Sequence, residues 1–196
     1  MKKLFLFIVP VISVIVSCNS EPKEIDTRPA TELALIKKFS DADSICKTQV
    51  NKVVKKEFIE KSKKQLIDFI VKDLNAKAEN WEAHVHEIKP GVLGVDAEFL
   101  ISKEREFGDD VKYPDMESIV LESDEIQDPK LTEVLKTLRE GDKVLISGTF
   151  DTRPFDSGSV VFQTMTRVTL DSADELSNPS FVFHLTDVKR IEKEKL

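Results

Sequence analysis

Aromatic residues, glycine and cysteine are all scarce in this chain of 196 residues, which has one tryptophan, one tyrosine, six glycines and two cysteines. So few glycines exclude a collagen-like or low-complexity chain, and two cysteines exclude a disulfide-stapled scaffold. The remaining composition is ordinary, with 40% hydrophobic residues, 33% charged residues and a net charge of −7. A chain of this length predicts one folded domain with one core.

A long hydrophobic run is also missing. The largely apolar stretch from Leu4 to Val16 has thirteen residues without a charge and contains Pro10. A helix that spans a bilayer takes about 20 residues, so this stretch is too short. Because Lys2 and Lys3 precede it, the pattern is typical of a cleaved signal peptide covering residues 1–17.

The signal peptide ends in Ile15-Val16-Ser17-Cys18. This segment resembles the bacterial lipoprotein box, in which the chain is cut before a cysteine whose sulfur carries diacylglycerol. The resemblance implies cleavage between Ser17 and Cys18, acyl chains such as palmitate at Cys18, and a membrane-anchored lipoprotein of the cell envelope. Asn19 in place of aspartate implies the outer membrane if the cell is Gram-negative. A secreted protein cut elsewhere and an uncleaved anchor are the alternatives.

The mature chain is expected to have three parts: a lipidated polar tether at 18–30, a helical region at 31–80 that packs on or flanks the last part, and a β-rich domain at 81–196. Loss of Lys2 and Lys3 leaves 27 basic and 36 acidic residues, a net charge of −9. Such a chain repels nucleic acid and anionic lipid on average. Cys46 is expected to be a buried apolar residue near a helix start, with an intermolecular disulfide or a redox role as the alternative.

Apolar residues recur at helical spacing from about Ala42 to Leu74. Since Ser40 or Asp41 can cap its start, the pattern predicts one long helix. The preceding segment, Thr31–Phe39, fits either a short helix or an extended chain.

The stretch from Lys47 to Asp73 contains eight lysines and four acidic residues in an acidic protein. Such a surplus of positive charge is typical of a solvated helix face. The alternative is a docking surface for an acidic partner or for anionic lipid.

From Trp81 onward the apolar period changes to two, which predicts strands. Asp128 and Pro129 begin a short helix between them, since aspartate caps a helix and proline is tolerated in its first turn. Gly148 marks a point where a barrel strand bends. The predicted strands lie at Trp81 to His86, Val95 to Ser102, Ile119 to Leu121, Val144 to Phe150, Val160 to Leu170 and Phe181 to Ile191, and Pro90, Gly91 and Gly94 are expected in the turn between the first two.

Three strands, a helix and further strands is the order of the oligonucleotide/oligosaccharide-binding (OB) fold. The segments Leu135–Phe150 and Pro179–Asp187 also resemble uncharacterised bacterial OB-like domains, called tRNA-anti-like, that lipoproteins often carry. The predicted class is α+β: a long N-terminal helix plus an OB-like five-stranded Greek-key β-barrel with a helix between strands 3 and 4. Segments 103–117 and 151–180 are long, so extra strands there are expected. The alternative is an α+β sandwich with the helix across an open sheet.

His84 and His86 are the candidate metal ligands, because residues two apart on a strand point the same way. Glu82 lies on the same face, and His184 lies on a strand that does not neighbour theirs. An exposed histidine pair without metal is the favoured interpretation. Catalytic motifs are absent from the sequence: it has no Gly-x-Ser-x-Gly elbow, no Asp-x-Asp-x-Asp-Gly calcium loop and no glycine-rich phosphate loop.

We therefore expect a lipid-anchored envelope protein that is not an enzyme and has no cofactor. Its OB-like domain is expected to hold a protein, peptide or glycan at the loops joining strands one to two and four to five. Nucleic acid is not an expected partner, because single-strand binders need a basic groove with exposed rings. A metal-binding protein or metal-dependent enzyme using His84 and His86 is the alternative, and an oligomer formed through the long helix is a third possibility.

Overall fold

A computed structural model describes residues 26–102, 118–151, 162–164, 176 and 178–191. The described elements are α1 (Ala30–Thr48), α2 (Lys52–Asp68), a π-helical turn (Phe69–Asp73), β1 (Lys77–Pro90), β2 (Val95–Ser102), β3 (Ser118–Ile126), α3 (Pro129–Leu135), β4 (Lys143–Phe150), β5 (Phe162–Thr164) and β6 (Pro179–Arg190).

Five of the strands form a closed barrel. β1 lies antiparallel between β2 and β4, β2 also pairs with β3, and β4 also pairs with β6. A short parallel pairing of Val120–Glu122 with Ser180–Val182 joins β3 to β6 and closes the ring. β5 adds one further antiparallel pairing to the start of β6. The chain is therefore α+β with a five-stranded barrel, and the open-sheet alternative is wrong.

The barrel interior is filled by the residues that alternate inward along each strand. Trp81, Phe181 and Phe183 surround the Phe150 ring edge-on, with centroid distances of 5.5–5.9 Å. The predicted bend at Gly148 is confirmed, since the β4–β6 register shifts there. A Cβ at Gly148 would lie 2.5 Å from the Phe183 ring, so only glycine allows this close approach.

All three α-helices add to the same core, α2 through Ile59 and Leu66. Phe39 of α1 is fully buried, and its ring meets Phe181 edge-on at 5.9 Å. α3 contributes Leu131 and Leu135. The predicted cap of α3 is confirmed, because the Asp128 carboxylate accepts hydrogen bonds from the two N–H groups that follow Pro129 in the first turn.

The prediction of one long helix from Ala42 to Leu74 is wrong. α1 already begins at Ala30, runs through Ser40 and Asp41, and ends at Thr48. α2 then begins after Asn51, whose side-chain oxygen accepts from the first N–H groups of the new helix. A capping asparagine thus splits the helical pattern into a hairpin. Cys46 is buried as expected, but near the end of a helix rather than near its start.

Candidate binding cleft

An open cleft of about 660 Å³ lies at one end of the barrel. Its lining comes from the end of β1, the β1–β2 turn, β2, β3 and β6. The loop joining strands one to two, where a ligand was expected, therefore forms part of its wall. Most of the loop between β4 and β6 lies outside the described residues.

The β1–β2 turn is held firmly against β3. The Gly91 N–H donates to the Gly94 carbonyl at 3.0 Å, which closes the turn. A Cβ at Gly94 would lie 2.4 Å from the carbonyl oxygen of Ile126, so glycine is required for this approach. The Asp96 carboxylate accepts a hydrogen bond of 2.8 Å from the N–H of Glu125. The rim of the cleft is therefore fixed by hydrogen bonds and close packing before any ligand binds.

Two apolar side chains extend from this fixed turn into solvent. Val92 is 90% exposed and Leu93 is 66% exposed. An adjacent exposed pair on a rigid turn offers apolar surface that a partner can bury without first ordering the loop.

Charged side chains give the cleft a negative surplus. Asp96, Asp124 and Glu125 contribute carboxylates, and Lys89 is the lysine of the lining. The Lys89 ammonium already donates to Glu87 at 2.8 Å, a hydrogen bond that raises the lysine pKa.

His184 stands at the edge of the cleft, exposed, with its Nε2 atom 3.5 Å from the buried carboxylate of Asp151. Such a pair resembles the base and orienting acid of a hydrolase. Among the described residues that line the cleft, however, none is serine, threonine or cysteine. This part of the lining therefore offers His184 no hydroxyl or thiol group to activate.

The exposed histidine pair predicted at 84 and 86 is not what the fold contains. His84 is buried because the segment after α3 covers β1 at this point. The Val85 N–H donates to the Asp142 carbonyl at 2.9 Å, and the Gly141 N–H donates to the Val85 carbonyl at 2.8 Å. Desolvation lowers the pKa of His84, so its neutral form is favoured.

The strand is also irregular at His86, since the β1–β2 register shifts between Val85 and Glu87. Regular alternation, which the two-histidine prediction assumed, stops there. The next inward residue is Ile88, three positions after Val85, whereas a regular strand has inward residues two positions apart. This spacing in the sequence therefore indicated a bulge. Within the described ranges, no three His, Cys, Asp or Glu side chains are grouped closely enough to hold a metal ion.

A buried ionic group at the start of α1 was missed by sequence reasoning. The Arg28 guanidinium donates to the Asp26 carboxylate at 2.7 Å and to the Ser102 carbonyl at 2.9 Å. Glu32, one turn into α1, accepts a hydrogen bond of 2.8 Å from the N–H of Glu82. These contacts tie the chain before α1 to β1 and β2. The i, i+4 spacing of Arg28 and Glu32 was the available signal.

Glu32 is fully buried, and burial raises its pKa to about 7. Its Oε1 atom lies 3.8 Å from Arg28 Nη1, beyond hydrogen-bond distance, so the arginine only partly offsets the desolvation.

The proposed cleavage and lipidation residues, Ser17 and Cys18, lie outside the described residues, as do segment 103–117 and most of segment 151–180. None of the helices in the described part of the chain combines the length and apolar character needed to cross a membrane.

Comparisons of this chain with protein-family models, curated proteins and solved structures find no match. The proposals below therefore depend on the chain's own residues.

Proposed function

We propose that this chain is a lipid-anchored protein of the cell envelope whose barrel is a non-enzymatic module that binds a protein or peptide. The anchor is supported by the charged, apolar and small-residue elements of residues 1–17, followed by Cys18. Acyl chains on one sulfur hold a protein durably because each buried methylene contributes about 0.8 kcal/mol. If the cell is Gram-negative, the outer membrane is the expected address, by the resemblance at Asn19.

We further propose that the barrel is of the OB type, with Greek-key connections. Its support is the strand order around the ring, β1-β2-β3-β6-β4 and back to β1, together with α3 between β3 and β4 in the chain. In OB folds the loop after the first strand borders the ligand site, which is where the β1–β2 turn meets the cleft here.

The observation that carries the proposed function is the exposed Val92–Leu93 pair on a fixed turn beside an acidic cleft. This combination fits a polypeptide that offers an apolar side chain next to a basic one. It fits a sugar or a nucleobase less well. Among the described residues of the lining, the aromatic side chain is that of Phe183, which is buried and leaves no ring face for stacking.

A photo-crosslinking amino acid in place of Val92, in the native cell, tests this proposal. We expect one reproducible protein adduct at this position and none when the same amino acid replaces Glu133, which is exposed on α3 away from the cleft. Reversing charge at the cleft with Asp124→Lys should abolish the adduct while the fold persists. Adducts of equal yield at both positions, or indifference to Asp124→Lys, would overturn the cleft as the binding site. A bound glycan without a protein adduct would redirect the proposal to sugar.

Metal binding through His84 and His86 is less well supported, because one imidazole is buried and the strand is irregular at the other. Calorimetric titration with zinc checks it. Heat of binding that is lost in His86→Ala would revive the metal alternative.

A further inference from the structure

The far end of the α1–α2 hairpin, here called the hairpin tip, comprises residues Ile45 to Lys56. It combines exposed apolar side chains with lysines. Val50 is 96% exposed, and Ile45, Val53 and Val54 are exposed as well. Between Lys47 and Glu57 no side chain is buried, so the tip adds to the core only through Cys46.

The tip carries a strong local charge. Four lysines and no acidic residue lie between Ile45 and Lys56, in a chain whose net charge is −7. Lys47 forms an ion pair with Asp43 at 2.7 Å. Among the described residues, Lys52, Lys55 and Lys56 take part in no ion pair. Their charges are therefore available to an external anionic surface.

We infer that the hairpin tip enters the interface of an anionic lipid bilayer. The valines would reach the boundary between headgroups and acyl chains, and the lysines would contact the lipid phosphates. Charge complementarity argues for this occupant, because clustered lysines beside exposed apolar residues are the pattern of interfacial membrane segments. Each lysine close to an anionic leaflet strengthens binding about fivefold.

The length of α1 and the reach of the tether allow the hairpin tip to contact the membrane in which the proposed anchor is inserted. This step rests on the proposed lipid anchor. α1 has 19 residues and is about 28 Å long. The chain from Cys18 to Asp26 can extend by roughly the same distance, about 28 Å. A molecule lying with α1 along the surface can therefore bring its lipidated cysteine and its hairpin tip to one leaflet.

Vesicle measurements on the full chain test this inference. The chain is reconstituted into phosphatidylcholine vesicles with or without 30% phosphatidylglycerol, about the share that makes a surface clearly anionic. An environment-sensitive fluorescent amino acid replaces either Val50 or, as the matched control, Val92, which is 90% exposed on the barrel. On anionic vesicles we expect a blue shift and quenching by brominated acyl chains at position 50 and neither at position 92.

Neutralising the tip with Lys52→Gln, Lys55→Gln and Lys56→Gln should reduce the inserted fraction by about 100-fold, at about fivefold for each lysine. The same number of changes elsewhere, Lys77→Gln, Lys130→Gln and Lys189→Gln, should leave it unchanged.

If the chain floats with the vesicles but the probe at Val50 stays in water, insertion of the hairpin tip is contradicted and the lipid anchor is not. A chain that does not float with vesicles would contradict both. Equal signals on neutral and anionic vesicles would also overturn the inference.

Discussion

The carboxyl group of Glu32 connects one residue to the pH dependence of the fold. Arg28, Asp26 and Glu82 are the charged groups that face it, the first two from the segment before its helix and the third from β1. Removing the ionised Glu32 carboxylate from water costs free energy. The Arg28 guanidinium, 3.8 Å away, offsets only part of this cost. Glu32 therefore favours its protonated form until about neutral pH.

We expect Glu32 to make the protein less stable as pH rises. Its pKa is about 7 in the folded chain and 4.5 at its ordinary value, so the unfolded chain releases the proton first. The free energy of unfolding then falls between about pH 4.5 and pH 7, by about 3 kcal/mol in total. In Glu32→Gln this fall should disappear. Urea denaturation of the parent protein and of the variant at pH 5 and pH 8 measures how much the free energy of unfolding of each changes with pH.

Glu133→Gln is the matched control. Glu133 is exposed, and its hydrogen bond from Lys136 lowers its pKa, so it is ionised in both states from pH 5 upward. Its substitution should leave the change in stability between pH 5 and pH 8 as it is in the parent protein. If Glu32→Gln shows the parent's pH dependence too, the buried carboxyl is not its source.

Single residues differed in how well the sequence predicted them. Asp128 and Gly148 were predicted correctly, because a cap and a strand bend depend on neighbours in the chain. The spacing of Arg28 and Glu32 indicated an ion pair, but the burial of Glu32 could not be predicted from local pattern, since it depends on the docking of α1 against Glu82 of β1. In isolation, an acidic residue in a first helical turn looks like a solvent-exposed partner of the helix dipole.

At the scale of elements, Asn51 determines where the hairpin turns. Its side-chain oxygen accepts from the N–H groups of Val53 and Val54 at 2.9 and 3.4 Å. Helical periodicity continues across this position, so the apolar pattern alone predicted an uninterrupted helix. The sequence signal of the break was Asn51 itself, a favoured capping residue that directly follows Val50.

We expect Asn51→Ala to loosen the first turn of α2 by about 1 kcal/mol, the usual cost of a lost cap. Because no side chain from Lys47 to Glu57 is buried, the effect should be local. Amide hydrogen exchange at Lys55, whose N–H donates to the Asn51 carbonyl, should become about fivefold faster. In the comparison variant Asp128→Ala, the loss should appear in global unfolding, because α3 carries buried leucines. Unchanged exchange at Lys55 would contradict the capping role.

At the scale of the whole molecule, α1 and the barrel share one hydrophobic core. Phe39 is the contact that shows this, since its ring meets Phe181 of β6. We expect Phe39→Ala to lower the free energy of unfolding by about 3–5 kcal/mol, in one cooperative transition monitored by both Trp81 fluorescence and helical circular dichroism. Phe58→Ala, at a half-buried position of α2, should cost clearly less. Separate transitions for helix and barrel would show that the core is not shared.

The sequence predicted most strands of the barrel, but not how they close. Alternating residues such as Phe99, Phe181 and Phe183 identified the inward faces correctly. The closing contact is a parallel pairing of Val120–Glu122 with Ser180–Val182, segments far apart in the chain. No local pattern specifies such a pairing, because it depends on the twist and bulges of every strand between them. Of the cleft, the sequence likewise indicated only the loop between the first two strands and not the residues of β3 and β6 that complete its lining.

The mass of the N-terminal peptide of the protein, purified from membranes of its native cell, tests the proposed identity of the molecule most directly. We predict that this peptide begins at Cys18 and carries the added mass of diacylglycerol, with residues 1–17 removed. An unmodified cysteine, a different first residue or a retained leader would contradict a lipid-anchored protein and, with it, the membrane address on which its proposed function depends.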